Sequence, residues 1–509
     1  MDIRFISTND KKIEEVKAFF KEKYAEEEKA KRNRLKKQNI SEEDIQKRIN
    51  KEIMKVNIVA NNIQIEEIQC EDMKKIVKDK ALRAFKKVGR PLIVEHTGLF
   101  FHELGGYPGG LTQIFWEKLQ GDKIVDLFKE KEVTAKTIIC FCDGKSFSYF
   151  EGDVEGTISQ EVRGKSDFEW DAIFIPKGEK ETFAQLKANK KNISMRVKAL
   201  ERFYAFLMEN GMKFEKNISY EDEIDDLAEL ISKDKVMLFV GAGISKNVGL
   251  PEWGELMLKL SQRCGICPEL FEDYDDFLNL AEFYEQYDKD LYKMKKWMKK
   301  KWKVDEEKIK ESIVHKNILK LDFPIIYTTN YDESLEKLYE VYNRKYIKIA
   351  KVKDLTEIEK GATEIIKFHG DYNADSQLVL TESSFFNRMN FESPLDIKLR
   401  ADILNKSILF IGYSLSDINM RYILYKLDKL WRDSGEKGIR PKSYIFLSRP
   451  NIVQEDILDR RGIIPIVSQE DDPAKGLNDF LEDLLNKQED INKNKRDFKR
   501  FKGTFRRYQ

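Results

Sequence analysis

Four short stretches in the second half of the chain follow apolar runs and carry groups able to do chemistry. They are Gly241-Ala242-Gly243-Ile244-Ser245, Thr328-Thr329-Asn330-Tyr331-Asp332, Lys367-Phe368-His369-Gly370-Asp371 and Gly412-Tyr413-Ser414-Leu415-Ser416-Asp417. Glycines such as those of the first stretch let a backbone approach a pyrophosphate at a helix N-terminus, and a histidine at a strand end is suited to general base work. In the first half, Ser7, Asn9 and Lys12 of STNDKK can cradle a phosphate at the start of a helix. Ser and Asn there also serve as ordinary helix caps. Glu95-His96 ends the apolar run PLIV. Two acids at such a place would hold a divalent metal and activate a water; one acid and one imidazole form a weaker site for a hard cation.

These residues can meet only if their strands lie side by side. VMLFVGAG, FPIIYTTN, IIKFHG, ILFIGYS and SYIFLS alternate with long helical stretches, which predicts a Rossmann-like parallel sheet covered on both faces. Ligands of such sheets bind at the carboxyl ends of the strands, where all four motifs fall. The first half is also α/β. A short strand over Ile3 to Ile6 leads into a helix with Ile13, Val16, Phe19 and Phe20 on one face, and strands dominate from Pro91 before a closing helix. A charged insertion at about 21–55, with SEED as a capped start, predicts a solvated helical hairpin. The polar stretch NGMKFEKNISYEDE marks a boundary, giving domains over 1–210 and 223–490, a linker over 211–222 and a basic tail over 491–509.

A chain of 509 residues is too long for one core, in keeping with two domains. Its 91 basic and 90 acidic residues leave a net charge of +1, so no global field draws it to nucleic acid or a membrane. The tail after Asn492 carries eight Lys or Arg against one Asp and reads as a solvated or weakly docked end. Five cysteines, unevenly placed, do not make a disulfide framework and favour a reducing compartment. No segment approaches the ~18 apolar residues of a membrane helix. The expectation is a soluble cytoplasmic protein.

The stretches FISTNDKKIEEV, LIVEHTGLFFHELGGYPGG, FEGDVEGTIS, DFEWDAIFIP and KANKKNISMRVKAL, in this order, resemble the inosine triphosphate pyrophosphatases, which clear deaminated purine nucleotides. The resemblance implies that Ser7, Asn9, Lys12, Lys80 and Lys190 surround a triphosphate, and that Glu67 and Glu95 lie near a magnesium ion. It further implies that Phe168 and Trp170 border the base, Asp171 reads its edge and Arg196 favours a 6-oxo purine, since a guanidinium donates to a keto oxygen and not to an amino group. Two departures fall at the catalytic end. His96 stands where the family has an aspartate, and Met195 where it has a histidine between Ser194 and Arg196. The expectation is a domain that binds its nucleotide and hydrolyses it slowly or not at all; the alternative is that His96 itself acts as a base.

The second set of motifs resembles the sirtuin fold over about 224–480, and most of all the sirtuin-like NAD hydrolases of antiphage defence. Deacylases of that fold carry two Cys pairs for zinc after the catalytic histidine; here no cysteine follows Cys267, so no zinc is expected. The resemblance makes NAD the substrate and His369, Asn330 and Asp332 the catalytic residues. Gly241, Ala242, Gly243, Ser245, Thr329, Gly412 and Ser414 would grip the dinucleotide. The fusion resembles the pairing of sensor and effector in Kongming-type defence, in which dITP triggers NAD loss. It implies a homo-oligomer activated by dITP or ITP, with a partner encoded in the same defence operon supplying the nucleotide signal.

Overall fold

The structure, a computed structural model, describes the chain apart from residues 1, 39, 54, 165–168, 187–192, 211–219, 252, 268–276, 289–291, 373–377, 390–391, 414–417, 436–439 and 506–509. The chain folds into two units, Met1–Ile218 and Ser219–Gln509. A helix Glu221–Ile231 already belongs to the second unit, so the expected linker loses its last two residues to that helix. No helix among the described residues is long and apolar enough to cross a membrane.

The first unit is built on a mixed sheet of order β2-β1-β3-β5-β6-β7. Its strands are β1 (Asp2–Ile6), β2 (Asn57–Asn61), β3 (Leu92–Phe101), β4 (Pro108–Gly109, paired with β3), β5 (Glu132–Cys142), β6 (Phe147–Ile158) and β7 (Phe174–Pro176). β2, β1 and β3 run parallel, and β5, β6 and β7 continue the sheet antiparallel. Ile93 of β3 faces Ile13, Val16 and Phe20 of the helix Asp10–Lys36 and Phe203 of the helix Met195–Asn210. Val94 faces the opposite side, against Val77 and Ala81 of the helix Met73–Val88. The charged insertion takes in the end of the helix Asp10–Lys36 and a second helix, Glu42–Glu52. Ser41 accepts from the Asp44 N–H to start the helix Glu42–Glu52, and Leu35, Ile45 and Ile49 form a small buried cluster of their own.

The second unit is a wholly parallel sheet of order β10-β11-β9-β8-β12-β13-β14. Its strands are β8 (Val236–Val240), β9 (Ile325–Thr328), β10 (Tyr346–Ile349), β11 (Thr363–Lys367), β12 (Ser407–Ile411), β13 (Ser443–Leu447) and β14 (Ile463–Val467). Alternate residues enter separate cores: Leu238 and Val240 on one face, Met237 and Phe239 on the other. That explains why the strands read as continuous apolar runs, since both faces are covered by helices. The chain leaves β8 for β9 on one side and later adds β12 on the other, so the order reverses at β8, the kind of switch point at whose carboxyl ends such sheets bind ligands. The basic tail is not a separate segment: most of it continues the last helix, Pro473–Phe505.

Candidate active site and nucleotide site

Because β1 and β3 are parallel neighbours, with Phe5 opposite Ile93, the turn after β1 runs beside Glu95. Within it the Asn9 N–H donates to Ser7 Oγ at 3.2 Å, and Asn9 Oδ1 accepts the Lys12 N–H at 3.2 Å as the cap of the helix. Ser7 and Asn9 therefore shape the turn, and Lys12 reaches into the fold, 3.0 Å from Glu95 Oε1. Arg196 grips the same carboxylate with two prongs, Nε to Oε2 at 2.8 Å and Nη2 to Oε1 at 3.0 Å, and donates from Nη1 to Glu15 at 2.5 Å. Gly152 permits this approach. A Cβ there would collide with the Met195 carbonyl oxygen, so the first turn of the helix can rest directly on β6. Burial opposes ionisation of Glu95, but the Arg196 guanidinium and Lys12 ammonium hold it well below the usual carboxylate range.

Side chains alternate along a strand, so His96 turns to the face opposite Glu95. Its Nδ1 lies 3.2 Å from Glu67 Oε2 and its Nε2 2.9 Å from the Gly110 carbonyl. Lys80 pairs with the other oxygen of Glu67. Against the effect of burial, the His96 hydrogen bond and the Lys80 ammonium bring Glu67 down to about 2. Glu67 and Glu95, expected near one magnesium ion, thus have separate sets of cationic partners. Both His96 nitrogens are engaged by the protein, and they are ring nitrogens where magnesium prefers hard oxygen ligands. No cluster of three or more His, Cys, Asp or Glu suited to a metal occurs among the described residues. This donor set does not fit a resident magnesium ion.

Trp170 packs edge-to-face on Phe174 in a cluster that also holds Met195, and Asp171 is buried in the same short turn, Glu169–Ala172. Phe168 and Lys190 lie outside the described residues.

In the second unit all the described motif residues come to one edge of the sheet. The Gly241 N–H donates to the Ile411 carbonyl at 2.9 Å and the Gly243 N–H to the Gly412 carbonyl at 3.0 Å, joining the loops after β8 and β12. Gly412 has φ +74°, and a Cβ on it would lie 2.8 Å from Ile244 Cγ1 and 2.9 Å from the Gly241 carbonyl oxygen; only glycine suits this position. Ala242 and Gly243 remain exposed at the start of the short helix Ala242–Lys246. Asn330 Nδ2 donates to the Gly241 carbonyl and to Ser245 Oγ, both at 3.0 Å. Ser245 Oγ in turn donates to Asp332 Oδ2 at 2.6 Å, while Asp332 Oδ1 accepts the Ser334 N–H at 2.9 Å. Asp332 therefore ties the loop after β9 to the glycine loop. Thr329 Oγ1 lies 3.1 Å from the Tyr413 hydroxyl. His369 is buried just beyond β11, its ring edge-to-face with Phe385 at 5.5 Å. Ser414 lies outside the described residues.

Residues 3–206 match the model of the Ham1 family and residues 324–466 that of a SIR2-like domain. A dITP/XTP pyrophosphatase of Saccharolobus solfataricus is 39% identical over 140 residues, which are 27% of this chain and 73% of that one. The chain belongs to the Ham1 family. Its second unit is SIR2-like: the NAD(+) hydrolase ThsA of Acinetobacter baumannii is 27% identical over 212 residues, 40% of this chain but only 41% of that relative's length. The Staphylococcus aureus Ham1 protein, a solved structure, covers 41% of this chain at 19% identity with a TM-score of 0.30.

Some residues that build these sites were not singled out from the sequence. In the Ham1 domain Glu15, one turn beyond Lys12, closes the ion-pair set around Arg196. In the SIR2-like domain Lys367 is wholly buried, donates to the Asp332 carbonyl and lies 3.3 Å from Glu336 Oε1. A lysine ending an otherwise apolar strand, two residues before the histidine, was the available signal.

Proposed function

We propose that the chain is an antiphage NAD hydrolase in which the SIR2-like domain cleaves NAD and the Ham1 domain is the receptor for dITP or ITP that releases this activity. The observation that carries the reading is the meeting of the glycine loop, Asn330 and Gly412 at one edge of a parallel sheet, with His369 just beyond β11, the strand next to β9. In the cleavage, the bond between nicotinamide nitrogen and ribose C1′ breaks with its electron pair going to nicotinamide. A water attacks C1′ and yields its proton to His369 as base, so the products are nicotinamide, ADP-ribose and a proton. Asn330, whose amide protons are engaged by the glycine loop, would present its carbonyl oxygen to water or ribose. The names of the ThsA relatives support the NAD chemistry and those of the pyrophosphatase relatives support the choice of nucleotide. An effector that harms its own cell must be silent at rest, and a nucleotide opens it only by binding the active state more tightly. The protein would work as a homo-oligomer in the cytoplasm, its signal supplied by a partner of the same operon.

A second reading is a dITP/ITP pyrophosphatase regulated by NAD, favoured by the 39% identity to an enzyme of that name. One experiment separates the two. The purified protein is incubated with NAD and a panel of nucleoside triphosphates, and both pools are followed by chromatography. NAD loss that rises with dITP or ITP supports the first reading; rapid pyrophosphate release with NAD untouched supports the second.

A further inference from the structure

We infer that the Ham1 domain takes its nucleotide without a divalent ion, the counter-charge coming from Lys12 and Lys80, and that His96 is the residue that makes this so. The inference rests on the reading of this domain as a nucleotide receptor and specifies how the receptor differs from an enzyme of the same fold.

A triphosphate bound by this domain needs cations, and a hydrolase supplies part of them as a metal held between carboxylates. Here the two carboxylates are already satisfied by the protein. Glu95 is buried and bonded to Lys12 and Arg196, while Glu67 is shared between Lys80 and His96. Among the described residues Glu67, Glu95 and His96 do not form a cluster of three suited to a metal ion, and the third of them brings nitrogen, not the oxygen that magnesium prefers. An aspartate at position 96 would add a second carboxylate beside Glu67 and create a hard-oxygen pair; the imidazole instead sits between Glu67 and the Gly110 carbonyl, 3.2 and 2.9 Å away, and offers only ring nitrogens. Lys12 and Lys80 are the mobile elements of this set. Their ammonium groups sit at the ends of flexible stems, 26% and 15% exposed, and with three N–H donors each can reach a phosphate oxygen while keeping its carboxylate. Arg196 is 3% exposed and held by two carboxylates, so it stays as the strut that fixes Glu95.

The consequence is a site that meets a triphosphate with lysines and lacks the metal that would polarise it. A bound signal that is not destroyed by its receptor is what a sensor requires.

The test is titration calorimetry of ITP and dITP into the full-length protein, in EDTA and in millimolar magnesium. Wild-type affinity is expected to agree within about threefold between the two buffers. His96→Asp is expected to become metal-dependent, with EDTA weakening binding by about tenfold or more. Glu67→Gln supplies a second arm, with thermal unfolding as the check that each variant is folded. Without a metal, removing this negative charge frees Lys80, and binding in magnesium is expected to hold or tighten. A metal ligand lost at the same position would weaken it. Wild-type binding that collapses in EDTA, or Glu67→Gln binding that collapses in magnesium, overturns the inference while leaving the receptor reading intact. Absence of binding in both buffers overturns the receptor reading and the inference with it.

Discussion

Lys367 and Glu336 form an ion pair inside the SIR2-like domain, Nζ 3.3 Å from Oε1, with 1% and 3% of the two side chains exposed. Burial pushes the Glu336 carboxyl up and the Lys367 ammonium holds it back. The same ammonium donates to the Asp332 carbonyl, so one buried cation joins the strand that delivers His369 to the loop that delivers Asn330.

Removing that cation leaves Glu336 buried without its partner. Lys367→Met is therefore expected to cost about 3–5 kcal/mol and to abolish NAD cleavage, since the segments that carry His369 and Asn330 lose their common tie. The double variant Lys367→Met/Glu336→Leu should regain most of the stability in urea unfolding, because an apolar pair of similar volume removes the stranded charge. NAD cleavage should not return with it, since the donor to Asp332 is still missing. Full activity in a stable double variant would show that the tie is structural only.

Gly412→Ala tests the close approach of the loops after β8 and β12. The new methyl would press on Ile244 and the Gly241 carbonyl in a left-handed backbone region, at a cost of about 1–3 kcal/mol. The glycine loop must shift, and Asn330, bonded to Gly241, shifts with it. NAD cleavage is expected to fall at least about tenfold, roughly the effect of a lost hydrogen bond to a charged group. Unchanged cleavage in this variant would mean that the loops after β8 and β12 do not hold the dinucleotide.

The sequence made the second domain's fold and site legible because the strands are buried on both faces and each motif ends its strand; parallel order then brings Gly241, Asn330 and Gly412 together without further information. What it hid are contacts between elements distant in sequence. Nothing in KKIEEV, VEHTGL or SMRV reports that Arg196 will spend its donors on Glu95 and Glu15, 101 and 181 residues away. The alternation of β3 separates Glu95 from His96, but only the helix on each side determines which cations meet them. Lys367 was visible as a residue yet not as a partner of Glu336, since an apolar strand ending in lysine reads equally well as a solvated end.

Arg196→Ala is expected to behave as a stability variant before it behaves as a binding variant. Glu95, 3% exposed, would keep Lys12 as its remaining partner among these contacts, and breaking a buried pair of this kind costs about 3–5 kcal/mol. Lys12→Ala is the cleaner test of the nucleotide site, because Arg196 continues to neutralise Glu95. In that variant the dITP activation curve for NAD loss should move about ten- to a hundredfold to higher nucleotide, the effect of a charge-assisted contact worth ~1.5–3 kcal/mol. Thermal unfolding and NAD loss measured side by side distinguish the two variants; an unmoved activation curve for a folded Lys12→Ala protein would remove Lys12 from the site.

His315 gives the SIR2-like domain a pH-dependent stability. It sits on the helix Ile313–Leu321 with Nδ1 2.8 Å from Ser312 Oγ, while Nε2 is buried without a hydrogen-bond partner. Burial lowers its pKa from 6.5 to about 4, against the opposing charge of Asp332. A histidine depressed in this way is neutral in the folded state where the unfolded chain already binds a proton, so stability falls as pH drops from 6.5 towards 4. At about pH 5 the loss relative to neutral pH is about 2 kcal/mol, from 1.36 kcal/mol per unit of difference. His315→Leu removes the titrating group at similar volume and should flatten this part of the profile, whatever it does to stability at neutral pH. Urea unfolding of both proteins at neutral pH and at about pH 5 measures the difference. The transition to follow is the one raised by an unreactive NAD analogue, which identifies it with the NAD-binding domain. Parallel pH profiles for wild type and His315→Leu would show that His315 protonates without leaving the fold.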